Sequence, residues 1–215
     1  MGVAMVFEQE QEALAGLSPK ARATRERIVQ AAFELFSLHG YHATGLERII
    51  RAAGVAKGNF YHHFKGKEAL AVATLSWYME KMRTEVGLDD ILADPSPLHG
   101  LWTLLGGMAS QTRCAESGSC QIRGCFIGNL ALELSVDHAP VRHKVAEIFD
   151  TFRELIRTLI TRAQHVGEVR PDLDPAQTAG LILTMMEGAT LVDKTRQKSQ
   201  DMLGAIQFLR NYLSP

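Results

Sequence analysis

The sequence predicts an all-α fold of about nine helices, with a three-helix unit at the amino terminus and a larger helical domain after it. Apolar residues recur at helical spacing along the chain, and the alternation typical of strands is absent. Only 7 prolines interrupt the 215 residues, and 46% of the residues are hydrophobic, which is ample for a core. We place the domain boundaries at 18–66 and 67–215, and we expect residues 1–17 to form a flexible acidic arm.

The first predicted helix spans residues 24–38. Its apolar residues have the three-to-four-residue spacing of a helix with one buried face, and the pattern ends at His39 and Gly40. The residues of this stripe are Ile28, Ala32, Leu35 and Phe36.

Two short helices around a glycine turn are predicted next. Thr44 and Glu47 stand three positions apart before an apolar run, as in a capping box, and so predict a helix start. Gly54 tolerates the left-handed conformation that ends a helix within one residue, and the chain restarts as a helix near Ala56. This order is typical of the helix-turn-helix motif, whose second helix lies in the major groove of DNA.

The second of these short helices has an unusually polar outer face. Phe60 and Phe64 are four residues apart and are expected to point to the core, whereas lysine, asparagine and histidine occupy the outward positions. Lysine and asparagine donate hydrogen bonds to phosphates and base edges, and Gly58 would let the backbone approach a sugar-phosphate strand. Lys67 opens the next helix, where free backbone N–H groups favour a phosphate.

Positive charge is concentrated in the same part of the chain. Residues 18–70 contain nine lysine and arginine residues against four glutamates, a net charge of +5, although the whole chain has a formal net charge of -1. This distribution suits a nucleic-acid partner. A solvated helical surface would give the same count, so the motif and not the charge favours DNA binding.

Residues 24–70 resemble the amino-terminal domain of the TetR family of bacterial transcriptional regulators, and they read TRERIVQAAFELFSLHGYHATGLERIIRAAGVAKGNFYHHFKGKEAL. The resemblance implies a cytoplasmic, homodimeric repressor that binds a palindromic double-stranded DNA operator and leaves it when a small-molecule inducer enters the carboxy-terminal ligand-binding and dimerisation domain. The sequence departs from the family pattern at Gly45, where Ser or Thr is common, and at Ala56, which removes either the side-chain cap of the recognition helix or one phosphate hydrogen bond. Transferred by position, the expected DNA contacts are Thr44, Lys57, Gly58, Asn59, Tyr61, His62, His63 and Lys67.

The rest of the chain keeps helical spacing. We expect one long helix from Lys67 to Val86, a loop over residues 87–97, and a wide, central apolar stripe on a helix that begins near Pro140. Further helices are expected at residues 98–112, 125–135, 175–194 and 199–213, with a loop over 113–124.

The last two predicted helices carry small residues on apolar faces. Small residues permit close helix contact, and in the resembled family this helix pair forms the four-helix interface of the dimer. Ordinary packing within one chain would use the same residues. The residues in question are Gly180, Gly188, Ala189, Gly204 and Ala205.

Candidate ligand-binding residues follow from the resemblance. Asn129 and Glu133 are the most informative, because polar groups four residues apart on an apolar helix need partners, which a ligand or a neighbouring helix could supply. Methionine and aromatic residues at helical spacing are also common in cores. The full set of candidates is Trp77, Trp102, Met108, Cys125, Phe126, Asn129, Glu133 and Met185.

Cys114, Cys120 and Cys125 are close in sequence. Cys125 starts a predicted helix, and a helix amino terminus with nearby cations lowers the pKa of a thiol. The segment from Gly124 to Glu133 resembles a subgroup of the TetR family in which a cysteine recurs here and some members respond to electrophiles or oxidants. Free cysteine usually behaves as a small buried hydrophobe, so an unreactive thiol is the ordinary interpretation of Cys125. The hypothesis set against it is that Cys125 is a reversible redox sensor, with Lys194 or another cysteine as its partner.

No metal and no cofactor is expected. The cysteine spacing lacks the close pair of structural zinc sites, and the sequence contains no G-x-S-x-G, Walker or H-E-x-x-H pattern of an enzyme. No apolar run reaches the roughly 20 residues of a membrane span, and no secretory signal is visible. Two alternatives stay open: control of the carboxy-terminal domain by a protein partner, and a helical enzyme that only resembles a DNA binder.

Overall fold

The structure is a computed structural model that describes residues 16–110 and 121–215. Within these ranges the chain forms ten α-helices and no β-strand, which confirms the all-α prediction. Almost all of the expected acidic arm lies outside the described residues, as do Cys114 and Cys120.

The helices are numbered here in chain order. They are α1 (Pro19–His39), α2 (Leu46–Ala52), α3 (Lys57–His63), α4 (Lys67–Val86), α5 (Leu88–Ala93), α6 (Pro97–Ser110), α7 (Phe126–Leu134), α8 (Ala139–His165), α9 (Pro175–Arg196) and α10 (Gln200–Leu213).

The described residues divide into two compact units. The first contains those up to Lys81 together with Asn129–Ile148, and the second contains Met82–Gly128 and Phe149–Pro215. The domain boundary predicted at residue 67 falls within the first unit and stays a prediction.

Helix α1 begins five residues earlier than its apolar stripe predicts. The side chain of Ser18 accepts a hydrogen bond from the Ala21 N–H at 3.3 Å, and Pro19 occupies the first turn, where its missing N–H costs nothing. The helix ends as expected at Gly40, which has a φ of 78° and donates its N–H to the Phe36 carbonyl at 2.8 Å.

Helix α2 does not have the predicted capping box. Its N-cap residue is Gly45, which makes no side-chain cap bond. The hydroxyl of Thr44 instead donates to the carbonyl oxygen of Gly40 at 2.7 Å and lies 3.2 Å from that of Leu35. The prediction is wrong because the end of α1 presents carbonyl acceptors to this hydroxyl, a contact that spacing in the sequence does not reveal.

Helix α5 occupies part of the segment that we expected to be a loop. Leu88 and Ile91 are buried, and the Ile91 N–H donates to the Gly87 carbonyl at 3.0 Å. Two apolar residues at helical spacing therefore order this short turn of helix.

Helix α8 carries the wide apolar stripe that the sequence predicts. Its buried side chains occur on successive turns, as expected for a helix that is covered on more than one side. They include Val141, Val145, Ile148, Phe152, Leu155, Ile156 and Leu159.

Helices α9 and α10 of the second unit pack against each other as a hairpin. The buried carboxylate of Asp193, near the end of α9, accepts the N–H groups of Asp201 at 2.9 Å and Met202 at 3.0 Å. These are orphan donors of the first turn of α10, so Asp193 caps that helix from the preceding one. The side chain of Gln197 between the helices exchanges two hydrogen bonds with the backbone of Ile122.

No helix among the described residues has the length and apolar character needed to cross a membrane.

Candidate DNA-binding surface and ligand-domain residues

Helix α3 has a polar face exposed to solvent and a buried aromatic side chain on its inner side. Its seven residues make two turns, and the ring of Phe60 on its inner side is completely buried. The predicted DNA contacts on this helix that are exposed are Lys57, Gly58, Asn59, Tyr61 and His62.

The end of α3 is fixed by a second aromatic side chain. The Phe64 ring is buried, its centre lies 5.7 Å from that of Phe60, and the guanidinium of Arg25 lies 4.5 Å above it. The start of the helix has no such support, because Ala56 makes no side-chain cap bond. This confirms the expected loss of a side-chain cap at Ala56. Helix α3 is therefore held in place mainly by burial of the Phe60 and Phe64 rings.

The turn between α2 and α3 has the predicted glycine geometry. Gly54 has a φ of 64°, in the left-handed region, and the Val55 N–H donates to the Ile50 carbonyl at 3.3 Å. A side chain at residue 54 would be strained in this conformation. The helix-turn-helix that the sequence predicts is therefore present.

The two histidines at the end of α3 differ in environment. His62 is exposed, whereas His63 is half-buried, and burial lowers the pKa of His63 below its usual value with a smaller contribution from His62 and Arg25. His63 is therefore mostly neutral at pH 7 in the absence of DNA and offers a ring N–H or an acceptor, not a full positive charge.

Lys57 forms an ionic contact with a neighbouring helix. Its ammonium lies 3.8 Å from the carboxylate of Glu47 on α2, and both side chains are mostly exposed. Exposed pairs of this kind contribute little to stability, so Lys57 can exchange Glu47 for a phosphate or a base edge at small cost.

Two residues that we predicted to contact DNA have side chains that pack against the protein. Thr44 is completely buried and its hydroxyl is bound to the Gly40 carbonyl, so the structure contradicts Thr44 as a surface contact. Lys67 is half-buried, and its ammonium lies 4.0 Å from the centre of the Tyr41 ring. Burial lowers the pKa of Lys67, which Glu133 opposes. A phosphate contact through Lys67 stays a prediction.

The candidate ligand-binding residues do not fall in one unit. Trp77, Asn129 and Glu133 belong to the first unit, whereas Trp102, Met108, Cys125, Phe126 and Met185 belong to the second. The indole of Trp77 packs 5.4 Å from the Phe33 ring of α1. The Glu133 carboxylate accepts the N–H groups of Tyr41 at 3.1 Å and His42 at 3.0 Å. Its partner is thus the turn after α1, which corrects the expectation that Glu133 binds a ligand.

Of the second-unit candidates, Phe126 is buried and Trp102, Met108 and Met185 are half-buried. The guanidinium of Arg210 on α10 lies 4.6 Å from the centre of the Trp102 ring. This cation–π contact occupies one face of the indole.

Cys125 has the opposite electrostatic environment to the one that we expect from its position. Burial raises the pKa of the Cys125 thiol well above its usual value, and the neighbouring carboxylate of Glu187 raises it further. The Gly128 N–H, which lies 3.4 Å from the sulfur, opposes this effect without cancelling it. The expected low pKa is therefore wrong, because desolvation outweighs the helix amino terminus.

Glu187 was not among the functional residues that the sequence predicts. It lies on α9, its pKa is raised by burial, and its side chain shares a hydrogen bond with Cys125. A Cβ added at Gly128 would come within 2.6 Å of its carboxylate, which would have to shift to make room for it. The available signal was a single charged residue within the otherwise uncharged run from Ile182 to Val192.

A helix-turn-helix that exposes a polar second helix defines a DNA-binding regulator. Residues 28–74 match the profile described as bacterial regulatory proteins, tetR family, and residues 104–209 match the tetracyclin repressor-like C-terminal domain. The chain is 32% identical over 181 residues to the HTH-type transcriptional regulator LmrA of Bacillus subtilis, covering 84% of this chain and 91% of the relative. The chain belongs to the TetR family and is a DNA-binding transcriptional regulator.

Further relatives agree with this assignment. Transcriptional regulator AcuR of Cereibacter sphaeroides is 29% identical over 177 residues, covering 81% of this chain and 78% of the relative. The crystal structure of a TetR transcriptional regulator from Chloroflexus aurantiacus has 31% identity and a TM-score of 0.77, and covers 91% of this chain and 96% of that one. The reduced form of NemR from E. coli has a TM-score of 0.79 at 22% identity, covers 89% of this chain and 98% of that one, and supports the fold alone.

Asn59→Ala is expected to change which operator sequences are preferred. If the exposed amide hydrogen-bonds a base edge, its loss costs about 1–3 kcal/mol at one operator position and little elsewhere. Fluorescence anisotropy with an operator and its single-base variants measures this. Gln30→Ala removes an exposed amide from α1 and should leave the preference unchanged. Equal weakening on every sequence would show that Asn59 contacts only the DNA backbone.

Proposed function

We propose that the protein is a homodimeric repressor that acts in the cytoplasm, binds a palindromic operator through α3 and is released by a small molecule taken up by the second unit. The observation that carries this proposal is the polar face of α3, held outward by the buried ring of Phe60. A repressor, rather than an activator, is supported by the relative DhaR of Mycobacterium sp., which is named a repressor and is 26% identical over 187 residues.

The DNA-binding part is tested with the promoter DNA that adjoins the gene. We expect a saturable complex whose affinity falls steeply as salt rises, because each phosphate contact releases a counterion. Electrophoretic mobility shift at several salt concentrations measures both affinity and slope, with a scrambled duplex of equal length as the control. A complex that forms equally on both duplexes would contradict operator recognition.

The dimer is supported by an apolar surface on the α9–α10 hairpin. On α9 the exposed residues Leu181, Thr184, Gly188 and Leu191 have the spacing of one helix face. Large apolar side chains exposed on α10 are Leu203 and Phe208. We name these six residues the outer face of the hairpin.

The small residues of the hairpin divide between two environments. Ala189 and Ala205 are buried within the chain, whereas a Cβ added at Gly188 or Gly204 would meet nothing within 4 Å. Packing inside one chain therefore accounts for the alanines and not for these glycines. A second copy that packs close to the glycines would cover the exposed apolar side chains.

The double variant Leu203→Glu, Phe208→Glu is expected to be a monomer. Two carboxylates placed on the outer face would lose hydration on association without gaining a partner. Light scattering coupled to size-exclusion chromatography should give half the wild-type mass, and affinity for a two-half-site operator should fall. Val166→Glu places one such carboxylate at an exposed apolar residue outside the hairpin and should stay dimeric. A dimeric double variant would contradict the proposed interface.

The inducer is proposed to bind in the second unit, which contains Trp102, Met108, Phe126 and Met185. Aromatic and methionine side chains suit a small organic ligand. Release of the operator by compounds of this kind, measured in the same mobility shift, tests the proposal. Release that requires another protein instead would favour a protein partner.

A second form of control is supported by the contact between Cys125 and Glu187. We propose that Cys125 reacts as its thiolate with electrophiles such as quinones, as in the subgroup that the Gly124–Glu133 segment resembles, after the thiol proton has passed to base in solution, and that the neighbouring Glu187 keeps the thiolate fraction low near neutral pH. Because the Cys125 thiol pKa is raised, the thiolate is a small fraction near neutral pH and grows as pH rises.

The rate of Cys125 alkylation is therefore expected to rise about tenfold for each pH unit from 7 to 9, without a plateau. Mass spectrometry after timed exposure to a quinone measures it, in a background of Cys114→Ser and Cys120→Ser. A plateau near pH 7 would show a low thiol pKa. If Cys125→Ser leaves operator release by quinones, aldehydes and hypochlorite unchanged, Cys125 is an inert thiol.

A further inference from the structure

The carboxylate of Glu133 joins two parts of the first unit that are far apart in sequence. Its Oε1 accepts the backbone N–H of Tyr41 at 3.1 Å, and its Oε2 accepts that of His42 at 3.0 Å. The ring Nε2 of His42 lies 3.2 Å from the Glu133 carbonyl oxygen. Both carboxylate oxygens are thus used, and backbone donors bound to an ionised acceptor are among the stronger hydrogen bonds in proteins.

The adjoining turn has space for this carboxylate only because residue 40 is glycine. Gly40 has a φ of 78°, and a Cβ built there would lie 2.7 Å from Oε1 and 3.1 Å from Oε2 of Glu133. The same glycine ends α1. Its lack of a side chain therefore serves both the left-handed backbone and the close approach of Glu133.

The turn that Glu133 binds leads directly into the helix-turn-helix. The Thr44 hydroxyl donates to the Gly40 carbonyl at 2.7 Å, and the Thr44 N–H donates to the Tyr41 carbonyl at 3.1 Å. Gly45, the next residue, is the N-cap of α2. A displacement of Tyr41 and His42 would therefore be passed to the start of α2 without an intervening flexible segment.

The side chain of Tyr41 extends the same contact toward α4. Its ring is buried, lies 5.4 Å from that of Phe36, and has the ammonium of Lys67 4.0 Å from its centre. The His138 ring lies 5.6 Å away, and its Nδ1 is 2.7 Å from the Glu68 carboxylate. The turn is thus held through its backbone by α7 and through its side chain by residues of α1 and α4 and by His138.

We propose that Glu133 is a positioning residue for operator binding: by holding the N–H groups of Tyr41 and His42, it fixes the direction in which α2 and α3 leave the end of α1. The inference rests on the DNA-binding role of α3, and Glu133 itself need not touch DNA. A negative charge near DNA weakens binding by repulsion, so the electrostatic effect and the positioning effect of Glu133 have opposite signs.

Glu133→Gln separates these two effects. The amide keeps one oxygen acceptor and loses the second, so one of the two backbone bonds is lost and the charge assistance of both disappears. We expect the Kd for the operator to rise about tenfold or more, while the Kd for nonspecific DNA stays equal or falls. Amide hydrogen exchange of Tyr41 and His42 should be faster than in the wild type, which a contribution to global stability alone would not produce selectively.

Asp137→Asn is the matched control. It removes the same charge from an exposed residue of the connection between α7 and α8, and operator affinity should be unchanged or slightly tighter. Glu133→Asp is the second variant, because it keeps the charge but shortens the side chain by one methylene. Because the shorter side chain cannot bring its carboxylate to the N–H groups of Tyr41 and His42, we expect the same loss of operator affinity and the same faster amide exchange as in Glu133→Gln.

Once the wild-type protein has been shown to bind its operator, each outcome supports or rejects the positioning role of Glu133. A wild type that does not bind would reject the proposed function and leave the Glu133 contact as a structural feature. Unchanged or tighter operator binding by Glu133→Gln would overturn the positioning role, as would an equal loss in Asp137→Asn. Loss of operator affinity with unchanged exchange at Tyr41 and His42 would also overturn it.

Discussion

Burial of the Phe60 ring is the constraint on which the DNA-binding surface depends. Helix α3 has only seven residues and no side-chain cap, and a helix shorter than about 12–15 residues is marginal in water by itself. Its order therefore comes from packing of Phe60 and Phe64, the latter beneath Arg25 of α1. Because the inner side of the helix is fixed in this way, Lys57 and Asn59 are held on its exposed side.

Much of the fold and part of the site follow from local sequence. The glycines at residues 40 and 54 end their helices with a positive φ, Ala56 leaves α3 without a side-chain cap, and Asn59 is exposed while Phe60 is buried. These features depend on spacing and on the conformational range of single residues. Residue spacing and residue type can both be read directly from the amino-acid sequence, which explains why the helix-turn-helix could be predicted.

The predictions that the structure corrected concern partners distant in sequence. The Thr44 hydroxyl binds a carbonyl at the end of α1, Glu133 binds the turn after it, and the Cys125 thiol is governed by burial and by Glu187. In each case the sequence correctly indicated that the polar or reactive side chain needs a specific partner. Its role differed because the nearest partner is brought in by tertiary packing, which helical spacing does not encode.

The cap that Asp193 provides to α10 has a kinetic consequence. Since Asp193, Gln197 and their backbone partners all belong to one chain, the α9–α10 hairpin is ordered by intramolecular bonds. Two copies that met through this hairpin would dock surfaces that are already folded, so little conformational entropy would be lost at the encounter. Their association rate would then be limited by collision and orientation, and exchange of subunits between dimers would require no unfolding of either partner.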